Sequence, residues 1–580
     1  MKRSSLILTS IVAMLFLALG TCWAEKPGSQ QAVLIIQGKV LDPAGNPLGD
    51  ANVIPYLNGK PYMPALHTAE HEKQLSTGRN GLFNTEISAA ADQIKDGNWA
   101  VKITRPSFRP SQLVSLKVFQ HPDDEKGLPS FVTGTTVSLQ RFQGTPFWIA
   151  LVVFVAVYIL IAFEILHRTL AAFLGAAVVL AITHTLGHYY PDQFNLLTYD
   201  QALHAVDWNV IFLLMGMMII VGVLKISGVF QWLAYKSFQV AKGNIFLLAS
   251  ALCVVTAVVS AFLDNVTTML LLTPVTMEIA VVLGVSPFVF LIPEILASNF
   301  GGTATLIGDP PNIMIGSYAG ITFNDFVLHL TPVVIAVMVA QILYNKFYYG
   351  ADYHKAKVED VPKMISFLKE KYQITDAKVL TLGGIVLLSV ILMFILHGLF
   401  HMEVSVAALF GAGLIVLVTK TDIVEMLEKE VEWPSLVFFI MLFIVVGAAE
   451  QTGILQVIAD WILRVCQGRL WVAVLIILWV SGFTSAIVDN IPYTATMLPI
   501  TMFLTKTMPG AESGVLWWAL SLGACFGGNG TIIGASANVV TTGIAEKAGY
   551  KVTFYEFMKQ AAPITIISLI ISSVFLLLRY

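Results

Sequence analysis

The chain has 580 residues, of which 56% are hydrophobic and 12% charged, with a net charge of −3 and a mean hydropathy of +0.76. A soluble globular protein carries about 25% charged residues, so most of this chain belongs in lipid, and its slightly acidic balance argues against a nucleic-acid partner. The four cysteines, Cys22, Cys253, Cys466 and Cys525, are too scattered for a metal-binding pattern.

Residues 1–24, "MKRSSLILTSIVAMLFLALGTCWA", read as a secretory signal. Lys2 and Arg3 precede an apolar core, and Ala24 ends a plausible cleavage site. An uncleaved anchor is the other reading, and both export residue 25 onward. Thr21 is a poor residue before Cys22 for a lipoprotein, and Cys22 lies within the signal, so the exported soluble part carries no thiol.

Residues 25–143 have ordinary polarity and no long apolar run. "LIIQGKVLDPAGNPLGDANVIPYLNGK" alternates apolar and polar positions around Gly, Pro, Asn and Asp turns, and "STGRNGLF" and "WAVKITRPSF" continue the pattern. This predicts a small exported β-sandwich of short antiparallel strands. The Gly-x-Val-x-Asp-x-x-Gly-x-Pro-Leu spacing resembles the carboxypeptidase regulatory-like domain over about 70 residues. The resemblance implies a binding or spacer module with no catalytic residues and an unidentified partner.

From Pro146 the chain becomes a series of apolar segments, each near the ~20 residues that a span needs. Ten spans are predicted near 146–164, 170–187, 208–225, 288–317, 325–344, 379–398, 403–419, 435–450, 514–541 and 556–578. They divide into a first membrane repeat (144–344, with the first span), a cytoplasmic loop (345–378) and a second repeat (379–580). Two further stretches, 245–283 and 471–505, hold Asp-Asn near their middle, where a charge costs about 2.5–3.5 kcal/mol on insertion scales. A re-entrant hairpin keeps such a tip inside protein or beside water. Amphipathic segments after Ile226 and Ile454 are expected to lie flat at the two surfaces.

Charge distribution orients the predicted spans. The loop 187–207 contains no Lys or Arg, whereas 345–378 carries Lys346, Lys355, Lys357, Lys363, Lys369, Lys371 and Lys378. Placing the second loop in the cytoplasm satisfies the positive-inside rule. The N-terminal domain and the C-terminus of this multi-pass plasma (inner) membrane protein then lie on the periplasmic or extracellular side.

The halves repeat. "VDWNVIFLLMG" at 206 matches "VEWPSLVFFIM" at 431, and Asp264-Asn265 matches Asp489-Asn490. "NFGGTATLIGDPPNIM" at 299 matches "CFGGNGTIIGASANVV" at 525, and "ITFNDF" at 321 matches "VTFYEF" at 552. Five spans plus one hairpin per half give the second half the opposite orientation. The expected fold is an all-α polytopic inverted repeat, an architecture of secondary transporters whose sites lie on interrupted helices at mid-membrane.

The interruptions carry the chemistry. Asp264, Asn265 and Thr267 at one tip, and Asp489, Asn490 and Thr494 at the other, supply hard oxygens suited to Na⁺ or a proton. Capping of the hairpin helices is the competing reading, since Asp and Asn are good N-caps. Gly301, Gly302 and Thr303, then Asp309-Pro310-Pro311-Asn312, mark a break in one span. Gly527, Gly528, Asn529, Gly530 and Thr531, then Ser536 and Asn538, mark its counterpart. The restarting helices aim amide groups into the cavity, while tight packing of small residues is the alternative. Asp309 faces Ala535 in the repeat and has a cap as its other reading. Glu278, Glu294 and Asp309 are candidate proton-relay groups, and either Glu278 or Glu294 is open to forming a buried pair. Asp207 and Glu432 are expected to cap the spans they precede, and Glu164, His167, His184 and His188 to be structural or interfacial.

"FEILHRTLAAFLGA", "DWNVIFLLMGMMI", "SAFLDNVTTMLLLTPV" and "GGTATLIGDPPNIMIG" resemble the ion transporter superfamily, citrate transporter-like. The likeness is strongest to the branch with arsenite permeases, NhaD-type sodium/proton antiporters and the melanosomal P protein, and covers about 155–578. It implies a homodimer with scaffold and transport subdomains, two opposed hairpins and an elevator-type movement. Sodium-coupled dicarboxylate carriers of the superfamily have Ser-Asn-Thr at their tips, where this chain has Asp264-Asn265-Val266 and Asp489-Asn490-Ile491. Two carboxylates repel a dianion unless protonated or neutralised by cations.

The expected function is secondary active ion transport, with sodium/proton exchange through the two tips as the leading form. The alternative is a permease for arsenite or another oxyanion or carboxylate; a passive channel or a membrane sensor is more remote. No catalytic constellation is present in the sequence, no resident cofactor or metal is expected, and Na⁺ or H⁺ is the expected coupling ion.

Overall fold

The computed structural model describes residues 31–41, 47–49, 51–62, 75–78, 80–105, 108–120, 130–139, 143–163, 165–355 and 361–580. The expected signal segment 1–24, Cys22 and Glu164 lie outside the described residues, as does Lys357 of the lysine-rich loop. The chain divides into two compact units between residues 142 and 143.

The first unit contains strands β1 (Gln31–Leu41), β2 (Asn52–Leu57), β3 (Lys60–Pro61), β4 (Leu82–Ala90), β5 (Trp99–Thr104), β6 (Val114–Ser115), β7 (Phe119–Gln120) and β8 (Ser130–Ser138). They form two four-stranded sheets, ordered β4-β1-β8-β7 and β3-β2-β5-β6. Pairing is antiparallel except for β1 with β8, which run parallel. The β2–β3 hairpin turns on Asn58 and Gly59, both at positive φ (52° and 79°), as a tight two-residue hairpin demands. Alternation along β4 buries Phe83, Thr85, Ile87 and Ala89, and along β5 Trp99, Val101 and Ile103. One apolar cluster containing Leu34, Ile36, Ile87, Val53 and Val101 joins both sheets.

The second unit is helical. Among the described residues, nine helices are long and apolar enough to cross a membrane. Helices Thr145–Ala162 and Arg168–His184 come first, and the same series of elements then appears twice. In the first half it is Trp208–Ile226, Val229–Ala241, the hairpin arms Ile245–Phe262 and Asn265–Val282, the broken pair Phe288–Thr303 and Pro310–Ala319, and Phe323–Tyr348. In the second it is Trp433–Gln451, Ile454–Cys466, the arms Leu470–Ser485 and Asn490–Thr507, the broken pair Val515–Gly527 and Ser536–Lys547, and Phe554–Arg579. Ala377–Phe400 and Val404–Thr419 lie between the series. Local chemistry repeats as well. Pro274 and Pro499 lie inside the second arms, and Thr322–Asp325 and Thr553–Glu556 form capping boxes at the last helices.

Each arm of the first hairpin has 18 residues and is long enough to span by itself. The extended pair Leu263 (φ −122°, ψ 155°) and Asp264 (φ −64°, ψ 152°) separates the two arms. The second arm of each hairpin packs on the restarted helix of the other half, Asn265–Val282 on Ser536–Lys547 and Asn490–Thr507 on Pro310–Ala319. This exchange brings tips and breaks together.

Candidate functional site

Both aspartates at the tips do cap their helices. Asp264 Oδ1 accepts from Thr267 N at 2.9 Å, and the Thr267 hydroxyl donates to the second carboxylate oxygen. Asp489 Oδ1 accepts from Ile491 N at 3.0 Å. Capping uses one oxygen and leaves the other facing neighbouring groups.

The two broken spans are stapled alike. Asn312 Nδ2 donates to Thr303 O (3.1 Å) and Thr305 O (2.9 Å), and Asn538 Nδ2 to Gly528 O (2.8 Å) and Thr531 O (2.7 Å). Carbonyls freed by unwinding thereby regain donors, as buried backbone requires. Thr305 and Thr531 hydroxyls bond Ala261 O and Ala486 O, tying each break to the tip of its own hairpin. Ser260 Oγ donates to Ser298 O and Ser485 Oγ to Ala524 O, at 2.7 and 2.6 Å. Glycine is required where these backbones meet: a Cβ on Gly301 would lie 2.2 Å from Ala257 O, and one on Gly527 would lie 2.3 Å from Gly482 O.

The centre itself is a buried polar network. Asn265 Nδ2 donates to Asn299 Oδ1 (2.9 Å), and Asn299 Nδ2 to Asn529 Oδ1 (2.8 Å) and Asn538 Oδ1 (3.0 Å). Asn490 Nδ2 lies 3.3 and 3.4 Å from the two Asp309 carboxylate oxygens, and Ser521 Oγ donates to Asn312 Oδ1 at 2.6 Å. Asn265 Oδ1 and Asn529 Nδ2 have no partner. Such atoms are costly to leave empty-handed, and they give the centre one free acceptor and one free donor.

Asp489 is held by Arg168, the first residue of its helix. Nη1 lies 3.2 Å from Asp489 Oδ2, the guanidinium also bonds the Ser536 and Ser435 hydroxyls, and its Cζ sits 5.3 Å from the Phe438 ring centroid. Ser536 Oγ donates to the same Asp489 oxygen at 2.8 Å. Arg168, Asp489, Ser536, Ile487 and Ile533 line a cavity of about 520 Å³. Sequence reasoning missed Arg168 as a site residue; its signal was the "HRTL" within a motif already singled out. No ion pair to a basic side chain is found for Asp264 or Asp309 among the described residues. Asp309 is close enough to both Asp489 and Asp264 to feel their charges, and Glu432 to feel Asp264 and Arg168.

Several expected roles need correction. Asp309 stands at the N-cap position of Pro310–Ala319 but makes no capping bond, because its carboxylate is turned to Asn490. Glu432 likewise leaves its helix uncapped and accepts from Ser435 Oγ at 3.1 Å, whereas Asp207 caps through Asn209 N and Val210 N. Glu278 does form an ion pair, with Lys371, but at a half-open position rather than a buried one. It points outward to Lys371 and the Tyr372 hydroxyl, away from the tips, while Glu294 is fully buried and accepts from Thr276 Oγ1 at 3.1 Å. The Thr494 and Thr303 hydroxyls donate to carbonyls one turn back, Asn490 O and Asn299 O, and keep their oxygen lone pairs for other partners.

The family model described as "Citrate transporter" matches residues 158–523. An uncharacterized transporter of Mycobacterium tuberculosis is 43% identical over 434 residues, covering 74% of this chain and 98% of its own length. The human P protein is 31% identical over 508 residues, covering 74% of this chain and 60% of its own length. The crystal structure of the Alcanivorax borkumensis YdaH transporter aligns with a TM-score of 0.49 at 14% identity, over 71% of this chain and 98% of that one.

Proposed function

The chain belongs to the citrate transporter family, and on that premise we propose that this multi-pass membrane transporter exchanges sodium for protons at the buried centre between its hairpin tips. The observation that carries the reading is the charge balance there. Asp309 is bonded by Asn490, the neighbour of Asp489, Asp264 adjoins Asn265 of the asparagine network, and Arg168 offsets Asp489. The remaining negative charge favours a cation or protons and repels a dianion in a medium of low dielectric. Burial favours a neutral carboxyl and a bound cation favours an ionised one. A carboxylate in such a place holds a proton or a sodium ion but not both, which is the minimum for exchange. Citrate, a multiply charged anion, would have to enter this centre together with charge-neutralising cations.

We place the two repeats in opposite orientations, with hairpins opening to opposite sides, on the strength of the duplicated series of elements and the odd number of crossings per half. The lysine-rich loop supports a cytoplasmic position for 345–378 and an external one for the β-rich unit, which acts as a spacer or binding module. A homodimer is the proposed assembly.

A second reading draws on the 520 Å³ cavity. The Arg168 guanidinium, the Ser536 hydroxyl and the restarting helix offer donors to arsenite, another oxyanion or a carboxylate. Proteoliposomes loaded with a pH-sensitive dye separate the two. Sodium/proton exchange predicts a proton flux on addition of Na⁺ or Li⁺ that reverses with the gradient. Absence of any such flux from pH 6 to 9, with saturable arsenite or carboxylate uptake instead, would transfer the assignment to the second reading.

A further inference from the structure

A second polar cluster lies away from the tips. Glu294 stands in the second turn of Phe288–Thr303, five residues before Asn299, or about 8 Å along the helix. Thr276 Oγ1 donates to its Oε1 at 3.1 Å, and its Oε2 has no partner. Gln341, on Phe323–Tyr348, donates its Nε2 to Pro293 O at 2.6 Å, which fixes the amide orientation and leaves Oε1 unpartnered beside the Glu294 turn. Cys253, on the first hairpin arm, is near enough to feel the Glu294 charge, and Asn345 Nδ2 approaches its sulfur at 3.8 Å. Asn345 Oδ1 and Thr256 Oγ1, one turn from Gln341 and Cys253 respectively, also lack partners. Every one of these side chains is buried, from 0% to 2% exposed.

Both arms of the first hairpin and the helix Phe323–Tyr348 thus pack on the helix of Glu294 and bring unpartnered oxygens to it, and no basic side chain among the described residues pairs with Glu294. A proton on Oε2 would supply a donor to one acceptor and leave the rest unmet. A monovalent cation meets several together and balances the single carboxylate charge, and hard oxygens suit Na⁺. We propose that Glu294 Oε2, Gln341 Oε1, Asn345 Oδ1 and Thr256 Oγ1 form a sodium site distinct from the hairpin-tip centre. Within the transport reading, it carries a second coupling cation. Only the use of the ion rests on that reading; its binding does not.

The test is thermal unfolding of the purified full-length protein at fixed pH and ionic strength, titrating NaCl against choline chloride. Wild type is expected to show a saturable Na⁺-dependent rise in melting temperature. In Glu294→Gln the half-maximal concentration should rise at least about ten-fold, and Gln341→Met should shift it in the same direction. A sodium response must also persist in the double variant Asp264→Asn/Asp489→Asn. If Glu294→Gln does not give monodisperse protein, Gln341→Met decides. A wild-type stability that follows pH but not Na⁺ would overturn the site in favour of a protonated Glu294. So would a sodium response unchanged by the Glu294 or Gln341 variants, or one abolished by the tip variants alone. Sodium binding lost in Glu294→Gln, with no flux in proteoliposomes, would leave the site standing and remove the transport reading.

Discussion

Arg168 Nη1 lies 3.2 Å from Asp489 Oδ2, joining the start of one helix to a hairpin tip 321 residues later in the chain. The pair is partly buried, with side chains 26% and 12% exposed, and Ser536 bonds both partners. Removing one member of such a pair strands the other. Arg168→Ala should therefore destabilise the protein by about 3 kcal/mol, and Arg168→Gln with Asp489→Asn should recover much of that loss. Thermal unfolding followed by size exclusion measures both; equal losses in the single and double variants would show that the charge pair is not what matters.

Asp264→Asn separates capping from ion handling. Asparagine caps a helix about as well as aspartate, so stability should stay within about 1 kcal/mol of wild type. On the proposed exchange, the variant lacks a carboxylate that holds the proton or cation, and Na⁺-driven proton flux should fall at least ten-fold in proteoliposomes. Preserved flux would remove Asp264 from the ion path.

Asn312 and Asn538 staple equivalent breaks by bonding two carbonyls each. Replacement by leucine leaves those buried acceptors unmet, at about 1–3 kcal/mol per group. Asn312→Leu and Asn538→Leu should each lower the melting temperature, and by similar amounts. A large loss at one position and none at the other would contradict their structural equivalence.

Gly301→Ala and Gly413→Ala make a matched comparison within helices. At Gly301 the added methyl meets the Ala257 backbone, whereas at Gly413 nothing lies within 4 Å. The first should cost at least about 1–3 kcal/mol through overpacking, and the second should gain up to about 1 kcal/mol from helix propensity. Expression level and melting temperature of the two variants test this ordering.

The breaks and tips could be read in the sequence because they obey local rules. Pro310-Pro311 cannot sit inside a helix, paired glycines permit close backbone approach, and Asp before Asn starts an arm. Repetition then placed each local signal twice. What escaped was pairing across sequence distance. Nothing in the periodicity around Arg168 shows that it reaches Asp489, or that Asn299 gathers Asn265, Asn529 and Asn538. Glu278 looked embedded because its helix is apolar, yet Lys371 and Tyr372 from a distant loop turn its carboxylate outward. Asp309 reads in the sequence as a relay group or a cap at the break, but nothing local shows that its neighbour, Asn490, comes from the other half.

The breaks share their glycine pair, a threonine and the stapling asparagine, but Asp309 answers Ala535, and Arg168 attends the second tip. On the proposed inverted arrangement, a carrier with interchangeable halves would have two empty resting orientations of equal energy. Here one half holds an extra carboxylate at its break and the other a neutralised one at its tip. The two orientations therefore differ in energy before any ion binds, and the empty protein should dwell longer facing one compartment. Such a bias makes the carrier a rectifier, with unequal apparent affinities on its two faces and the same thermodynamic endpoint.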